Sequence, residues 1–300
     1  MTLLQRFALA LILLVCVPLT YAPLIQAESP SAVTNVNLTF TTIDVPGAGY
    51  TNVWGINTAG DMVGNYGQNT NGDSHGFLYR NGTFTYFDYP GQTVTVPTGI
   101  NDSDLIVGYA GQNPVVGFIY DGITFTPIQH GQDSATATLG INNAGVVVGG
   151  TGTIYVTRGF EMRNGRFKLL NVQGANAYVY GSGVNNLGVV VGWTDKDGFV
   201  CQHGSCQLRD IPGATRTSAR GINDNGVIVG AYDQPPFTFG FAAKNGKYIS
   251  IRYPGATSTD ALGINTSGQI VGAYEVDHTW HGFVTGLIAA VDLKQPMQAK

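Results

Sequence analysis

The feature that most constrains the fold of this 300-residue chain is a Gly-Ile/Val-Asn triplet that occurs six times. Each triplet is followed by a few turn residues and then by an apolar run that ends in Val-Gly, such as 227-VIVG-230. Self-similarity at a nearly fixed period shows that the chain repeats one supersecondary unit. The repeats start 38 to 44 residues apart, near positions 55, 99, 140, 183, 221 and 263.

Each repeat continues with a Gly-Phe pair, a tight turn and a last apolar stretch. In the first repeat these are 75-HGFLY-79, Asn81-Gly82 and 83-TFTYFDYPG-91. Asn-Gly and Asp-Gly pairs, of which Asp121-Gly122 is another, supply the positive φ angles of two-residue hairpin turns. Charged residues make up only 11% of the chain, and no segment has a helical period. Four short strands in about 42 residues form the blade of a β-propeller.

The two ends of the repeat region predict how the sheets close into a ring. The segment 40-FTTIDVPGA-48 precedes the first triplet and matches the last strand of a repeat, whereas the pattern is lost after 282-GFV-284. We therefore predict an all-β, six-bladed propeller over residues 38–286, closed by pairing a strand at about 39–46 with the last blade. Closure removes exposed sheet edges. The segment 287-LIAAVDL-293 is the alternative candidate for the fourth strand of the last blade, ranked second to the N-terminal strand. If the N-terminal strand takes that place, residues 287–300 form a C-terminal tail.

The first 27 residues have the layout of a secretory signal peptide. Arg6 precedes the apolar run 7-FALALILLVCV-17, which is shorter than the roughly twenty residues that span a bilayer. Cleavage after Ala22 or Ala27 would leave residues 28–37 as a short linker. No later segment is apolar enough to cross a membrane. The sequence thus predicts an exported monomer that is secreted, periplasmic or attached to the cell surface.

The cysteines of the fourth repeat flank a predicted hairpin turn. His203-Gly204 takes the place of an Asn-Gly pair, and Gln202 and Ser205 adjoin it. The next pair outward, Cys201 and Cys206, then occupies a non-hydrogen-bonded position with α-carbons about 4.5 Å apart, within the range of a disulfide. Export supplies an oxidising compartment. We predict a disulfide between them that staples one hairpin, in preference to a redox pair or metal ligands.

Together, the Gly-Ile/Val-Asn, Val-Gly, Gly-Phe and Asn-Gly segments of the repeats resemble the bacterial extracellular HAF repeat family, which is named for a recurrent His-Ala-Phe. The corresponding triplets here are His75-Gly76-Phe77 and His281-Gly282-Phe283, and the other four repeats lack the histidine. The resemblance covers residues 38–286. It implies a repeat protein outside the cytoplasm, and it carries no catalytic motif.

The connections between strands fall into two classes. The first-to-second and third-to-fourth links are short glycine-marked turns, whereas the second-to-third and repeat-to-repeat links differ each time. In a four-stranded meander the variable links share one face, and recognition favours loops on a rigid scaffold. The unusual side chains assigned to that face include Arg220, Asp73 and Asp233. The candidate binding residues there are Trp54, His75, Tyr178, Trp193, Arg216, Asp260, Glu275, Asp277, His278, Trp280 and His281.

The segment 274-YEVDHTWHG-282 has the highest density of chemically active side chains. Its acids and histidines are ligand types for a divalent metal, but strand alternation directs neighbours in opposite directions and no second cluster supplies further ligands. We therefore predict no metal and no other cofactor. Glycoside cleavage would need two acids about 5–10 Å apart, for which Asp260 and Glu275 are candidates.

These observations favour binding over catalysis. The chain lacks a Ser-His-Asp order, a P-loop, a dinucleotide fingerprint and a zinc-protease helix. Its net charge of −4, with no basic stripe, argues against nucleic acid. We predict a binding or scaffolding module for an extracellular glycan, peptide or surface partner. The alternative is a carbohydrate-active hydrolase or lyase, favoured if the acids and histidines converge in one concavity. A purely structural module would have no pocket.

Overall fold

A computed structural model of the chain describes residues 38–69, 72–133, 135–153, 156–287, 295–296 and 298–299. The predicted signal peptide, the linker and residues 288–293 of the alternative strand 287–293 lie outside these residues. The described residues form strands and turns and contain no helix, which confirms the predicted all-β class. Accordingly, nothing helical in the described ranges has the length and apolarity to cross a membrane.

After one N-terminal strand, the described strands follow the sequence repeats, with four in each of the first five repeats and three in the last. Their bounds are β1 Phe40–Ile43; β2 Tyr50–Ile56, β3 Met62–Gly67, β4 His75–Arg80 and β5 Thr83–Phe87; β6 Thr95–Ile100, β7 Ile106–Ala110, β8 Val116–Tyr120 and β9 Phe125–Ile128; β10 Ala135–Ile141, β11 Val147–Gly152, β12 Thr157–Arg163 and β13 Arg166–Leu169; β14 Val179–Val184, β15 Val190–Thr194, β16 Gly198–Gln202 and β17 Ser205–Asp210; β18 Arg216–Ile222, β19 Ile228–Gln234, β20 Phe237–Lys244 and β21 Lys247–Ile251; β22 Ser258–Ile264, β23 Ile270–Val276 and β24 Thr279–Thr285; and the two-residue strands β25 Gln295–Pro296 and β26 Gln298–Ala299.

The described strands form five sheets. Three are four-stranded meanders, β2 to β5, β6 to β9 and β10 to β13, and a fourth, β14 to β17, carries β26 at its edge. The fifth has nine strands and joins β18–β21 to β22–β24 through one parallel bridge, Thr238 to Ser258. Isolated parallel bridges also join neighbouring repeats elsewhere, at Ser74–Val94, Val115–Ala135 and Thr157–Tyr178.

The N-terminal strand β1 lies at the edge of the last repeat. It pairs antiparallel with β24, so that Phe40 is opposite Thr285 and Ile43 is opposite Gly282. The ring of Phe40 packs edge-on against Phe283, with centroids 5.4 Å apart, and Ile43 and Val45 are buried. Because Val45 and Ile43 pack in the same cluster as Val53 of β2, the segment also contacts the first repeat.

The Asn of each triplet organises the turn that follows it. The Asn101 side-chain oxygen accepts hydrogen bonds from the backbone N–H groups of Ser103 and Leu105. In five of the six triplets the side-chain amide makes a second contact that the sequence did not reveal, because it donates to the backbone carbonyl of the Asn in the next repeat. These bonds run from Asn101 to Asn142, Asn142 to Asn185, Asn185 to Asn223, Asn223 to Asn265 and Asn265 to Asn57. The amide of Asn57 donates to the carboxylate of Asp61.

The hairpin turns match the sequence with one exception. Both residues of Asn81-Gly82, Asn164-Gly165, His203-Gly204 and Asn245-Gly246 have positive φ. In the second repeat the prediction for Asp121-Gly122 was wrong. Tyr120 pairs with Phe125, so the connection has four residues, and the Asp121 carboxylate accepts hydrogen bonds from Ile123 and Thr124 instead of continuing the strand.

The predicted disulfide joins Cys201 and Cys206 across the β16–β17 hairpin, with α-carbons 3.9 Å apart. Because the closed loop is short, we expect the double substitution of both cysteines by serine to lower the free energy of unfolding by only about 2 kcal/mol. Urea denaturation of the oxidised protein and the double variant measures the difference. A loss of more than about 4 kcal/mol would show that the hairpin depends on this bond.

Candidate functional site

The largest cavity among those with described linings has a volume of about 390 Å³. We call it the aromatic cavity. It lies on the N-terminal side of the Gly-Ile/Val-Asn triplets, among the first strands of the repeats, whereas a separate cavity of about 70 Å³ is lined by the triplets themselves. The aromatic cavity is lined by Trp54, Thr98, Tyr109, Val115, Ala135, Ala137, Leu139, Gly150, Thr151, Gly152, Thr153, Thr157, Tyr178, Tyr180, Trp193 and Arg220.

A β-bulge in every first strand positions side chains in this region. The register between the first and second strands shifts at the residue before the triplet, which leaves that residue without a partner. A bulge turns a side chain away from its regular direction, and bulges are common beside binding sites. The bulged residues are Trp54, Thr98, Leu139, Ser182, Arg220 and Leu262.

Two of the bulged side chains hydrogen-bond to the backbone of the following repeat. The hydroxyl of Thr98 donates to the carbonyl of Thr138, and that of Ser182 donates to the carbonyl of Ala219. Trp54 and Arg220 instead extend large side chains into the aromatic cavity. The repeat therefore supplies one backbone position, and two of the six repeats use it to present an aromatic ring and a cation.

Stacked side chains form one wall of the cavity. The rings of Tyr180 and Trp193 are parallel within 18°, with centroids 4.3 Å apart. The guanidinium carbon of Arg220 lies 4.9 Å from the centre of the Trp193 ring, a cation–π contact. Trp54 also lines the cavity, and its indole N–H donates to the side-chain oxygen of Asn65 at 2.6 Å, which fixes the orientation of its ring.

The site also contains ionisable groups whose pKa values are shifted. Burial lowers the pKa of Arg220, and the negative charge of Asp260 opposes that shift. Burial raises the pKa of Asp260, with Arg220 acting in the opposite direction. Burial raises the pKa of Tyr109 as well, against the effect of Arg220. Shifted pKa values in a cavity are a recognised indicator of functional sites.

A second cavity of about 240 Å³ adjoins the first. Trp54 lines both, and Asp260, Leu262 and Trp280 line only the second. The chain has three tryptophans, so every tryptophan of the protein faces one or both cavities. Tryptophan is highly buried on average in folded proteins. Here all three tryptophans lie in one region of the fold.

The structure therefore brings together some of the residues singled out in the sequence and separates others. Trp54, Tyr178, Trp193, Asp260 and Trp280 line the two adjoining cavities. The other candidates are absent from these linings. They are His75, Arg216, Glu275, Asp277, His278 and His281.

The segment 274–282, interpreted as a variable loop, is a regular hairpin. Val276 of β23 pairs with Thr279 of β24, and only Asp277 and His278 form the turn, both with positive φ. His278 is fully exposed at its tip. Glu275 accepts a hydrogen bond from Thr257 on the side of the hairpin. The interpretation failed because alternating polar and apolar residues here belong to two long strands joined by a two-residue turn.

Two of the histidines have a structural role. His75 bonds Asp88 at 2.9 Å, and His281 bonds Asp44 at 2.7 Å. In both cases the carboxylate follows the outermost strand of the same sheet, so the pair connects the third strand to the end of the fourth. Arg216 is likewise paired, with Asp233 at 2.9 Å. In the described ranges, no three His, Cys, Asp or Glu side chains are grouped closely enough to hold a metal ion.

Sequence reasoning did not select Tyr109 and Arg220 as site residues. It assigned Arg220 to a variable loop, whereas this residue lies in β18 immediately before a triplet. The usable signal was the residue that precedes each triplet, because it varies among Trp, Thr, Leu, Ser and Arg while the triplet after it stays nearly constant. Tyr109 follows the Val-Gly pair of its second strand, which is the position that Trp193 occupies in the fourth repeat.

Comparison with known proteins gives a likeness in fold. No protein-family model and no curated protein matches the chain. A structure described as a putative gluconolactonase is 11% identical, covers 85% of this chain and 96% of its own, and has a TM-score of 0.50. A luciferin-regenerating enzyme is 12% identical over 86% of this chain and 97% of its own, with a TM-score of 0.47. At such low identity the likeness to the putative gluconolactonase shows the fold alone. The chain is similar in fold to β-propeller proteins.

Proposed function

We propose that this chain is an exported six-bladed β-propeller of the HAF repeat type that acts as a binding module, with the aromatic cavity as its ligand site. The observation that carries the proposal is the cavity itself. Its volume of about 390 Å³ falls within the range of about 300–1,000 Å³ typical of small-molecule sites. Its walls combine aromatic faces with a few polar groups, as such sites do.

The number of blades follows from how the nine-stranded sheet is divided. The bridge from Thr238 to Ser258 joins the start of a third strand to the start of the next repeat, and Ser74–Val94 has the same position between two separate sheets. Dividing the sheet at this bridge leaves β18–β21 as one blade and β22–β24 with β1 as another. The hydrogen bond from Asn265 to the carbonyl of Asn57, at 3.1 Å, supports a closed ring.

The charges favour binding over glycoside hydrolysis. Glycoside cleavage needs two carboxyl groups on either side of the scissile bond. Among the described lining residues of the two cavities, Asp260 is the only carboxylate. Glu275 bonds to Thr257 on the hairpin, and Asp233 is paired with Arg216. The acids and histidines whose convergence would favour an enzyme are therefore distributed over different parts of the fold.

The three tryptophans provide a direct test. In ¹⁵N-labelled protein, three indole N–H resonances report on the two cavities, because the chain has no other tryptophan. We expect a ligand selected from a library of oligosaccharides, short peptides and small organic molecules to shift the signals of Trp54 and Trp193. Substituting Trp193 by alanine should weaken its binding at least tenfold, since buried tryptophans contribute strongly to binding.

The matched control is Tyr86→Ala. Tyr86 is a half-exposed aromatic residue that lies outside both cavity linings, so its loss should leave the affinity unchanged. Ligands that bind without shifting any indole signal would place the site elsewhere on the molecule. A library that yields no ligand at all would favour a structural module over a binding module.

A further inference from the structure

We propose that the ligand of the aromatic cavity is a small organic anion with a flat apolar body, whose carboxylate is bound by Arg220. This inference rests on the proposed function, because it specifies the chemistry of the same site. It depends on two observations. Arg220 has unused hydrogen-bond donors, and the remainder of the cavity is mainly apolar.

Arg220 lacks the partners that a buried arginine normally has. Among the described residues its side chain forms no hydrogen bond and no ion pair, and its Nε is buried without an acceptor. The indole N–H of Trp193, on which Arg220 stacks, is also buried without an acceptor. Buried donors are satisfied in almost all native structures, so each exception requires an explanation. An anionic ligand provides one, since a carboxylate accepts two parallel hydrogen bonds from a guanidinium.

Asp260 does not already fill this role. Its charge raises the pKa of Arg220 more than that of any other acid, but the two side chains form no ion pair within the described part of the chain. Burial favours the neutral form of Asp260, which reduces its competition with an incoming anion. The nearby Arg216 is not an alternative cation, because it is paired with Asp233 at 2.9 Å. Arg220 is therefore the cation that faces the cavity unpaired among the described residues.

The rest of the cavity fits a flat apolar body better than a sugar. One side is formed by the aliphatic side chains of Val115, Ala135, Ala137 and Leu139. The stacked rings of Tyr180 and Trp193 form another side, and the hydroxyl of Tyr180 is already bonded to Thr157 at 3.2 Å. Sugars carry hydroxyl groups around their edges that need polar partners, whereas a planar hydrocarbon ring packs against aromatic and aliphatic walls without them.

The test compares 2-naphthoate with 2-naphthamide by isothermal titration calorimetry. The two compounds have the same ring and nearly the same shape, and they differ in charge. The wild-type protein should bind the carboxylate about ten- to a hundredfold more tightly, as expected for hydrogen bonds between charged groups. In Arg220→Gln this preference should disappear while the affinity for the amide stays within about threefold. Arg220→Lys keeps the positive charge but loses the paired N–H donors of the guanidinium, so it should give an intermediate preference for the carboxylate.

Arg252→Gln is the matched control. Arg252 also stacks on an aromatic ring, that of Phe237 at 4.5 Å, but it lies outside both cavity linings, so the variant should retain the wild-type preference. Thermal unfolding of all variants checks that they are folded. If Arg220→Gln is unfolded, the wild type and Arg220→Lys decide the question by their preferences alone.

The outcomes separate this inference from the proposed function. Equal wild-type affinity for the two compounds, with indole signals that shift, overturns the anion inference and supports the binding site. A carboxylate preference that survives in Arg220→Gln overturns the role of Arg220. Binding of neither compound overturns the inference, and an acidic oligosaccharide that shifts the indole signals would then identify a sugar ligand.

Discussion

Replacing Gly230 by alanine is expected to lower the free energy of unfolding by about 3 kcal/mol or more. Gly230 ends the Val-Gly run of the fifth repeat and lies in β19. A Cβ atom added there would lie less than 3.0 Å from the backbone oxygen of Ser218 and from the ring of Phe241. Neither neighbour can move freely, because Ser218 belongs to the bulged strand β18 and Phe241 is fully buried. Urea denaturation of the purified variant measures the loss.

The same arrangement is present in every repeat, which explains why Val-Gly and Gly-Phe recur together. The phenylalanine of each Gly-Phe pair is completely buried, and its ring lies over the glycine of the paired strand. The first-strand carbonyl, just before the bulge, approaches the same glycine from the other side. The glycines involved are Gly64, Gly108, Gly149, Gly192, Gly230 and Gly272.

A glycine that is needed for its backbone angle provides the control for this experiment. Gly246, in the turn between β20 and β21, has a φ of 73°, and a Cβ added there would have no neighbour within 4 Å. Its replacement by alanine should cost only about 1–2 kcal/mol, which is the penalty of the left-handed conformation. If Gly246→Ala proved more costly than Gly230→Ala, the close packing of ring, glycine and carbonyl would not be the main constraint on the repeat.

Much of the fold could be predicted because its determinants are local and repeated. The Asn-Gly turns and the Cys201–Cys206 hairpin depend on residues within one repeat. Six copies of one pattern reveal each of them. The pairing of β1 with β24 spans the whole described chain, but it too was accessible, because 40-FTTIDVPGA-48 has the form of a last strand without the three strands that normally precede it.

The candidate site was only partly predictable, because it depends on contacts between repeats. Tyr180 stacks on Trp193 within one sheet, yet Trp54 reaches the same cavity from a strand more than a hundred residues away. The density of acids and histidines in 274–282 suggested a cluster, and strand geometry dispersed it. What singles out Arg220 is its lack of partners, and only coordinates reveal an unsatisfied donor.

The N-terminal strand should be essential for stability, but it should stabilise the protein equally well when it is placed at the C-terminal end of the sequence. We expect a protein of residues 49–286 to lose about 5 kcal/mol or more relative to residues 38–286, because Ile43 and Val45 are buried and Phe40 covers Phe283. Such a loss is comparable to the total stability of many domains, so the shorter protein should be largely unfolded.

A circular permutant distinguishes the loss of a strand from the loss of a terminus. The N–H of Gly286 donates to the carbonyl of Thr39 at 2.9 Å, so an Asn-Gly linker can join the end of β24 to the start of β1 as a hairpin. We expect the order 49–286, linker, 39–48 to restore stability to within about 1 kcal/mol of residues 38–286, as measured by urea denaturation. If 49–286 were as stable as 38–286, β1 would contribute nothing to the stability of the protein. If the permutant were as unstable as 49–286, the strand would stabilise the protein by some route other than its pairing with β24.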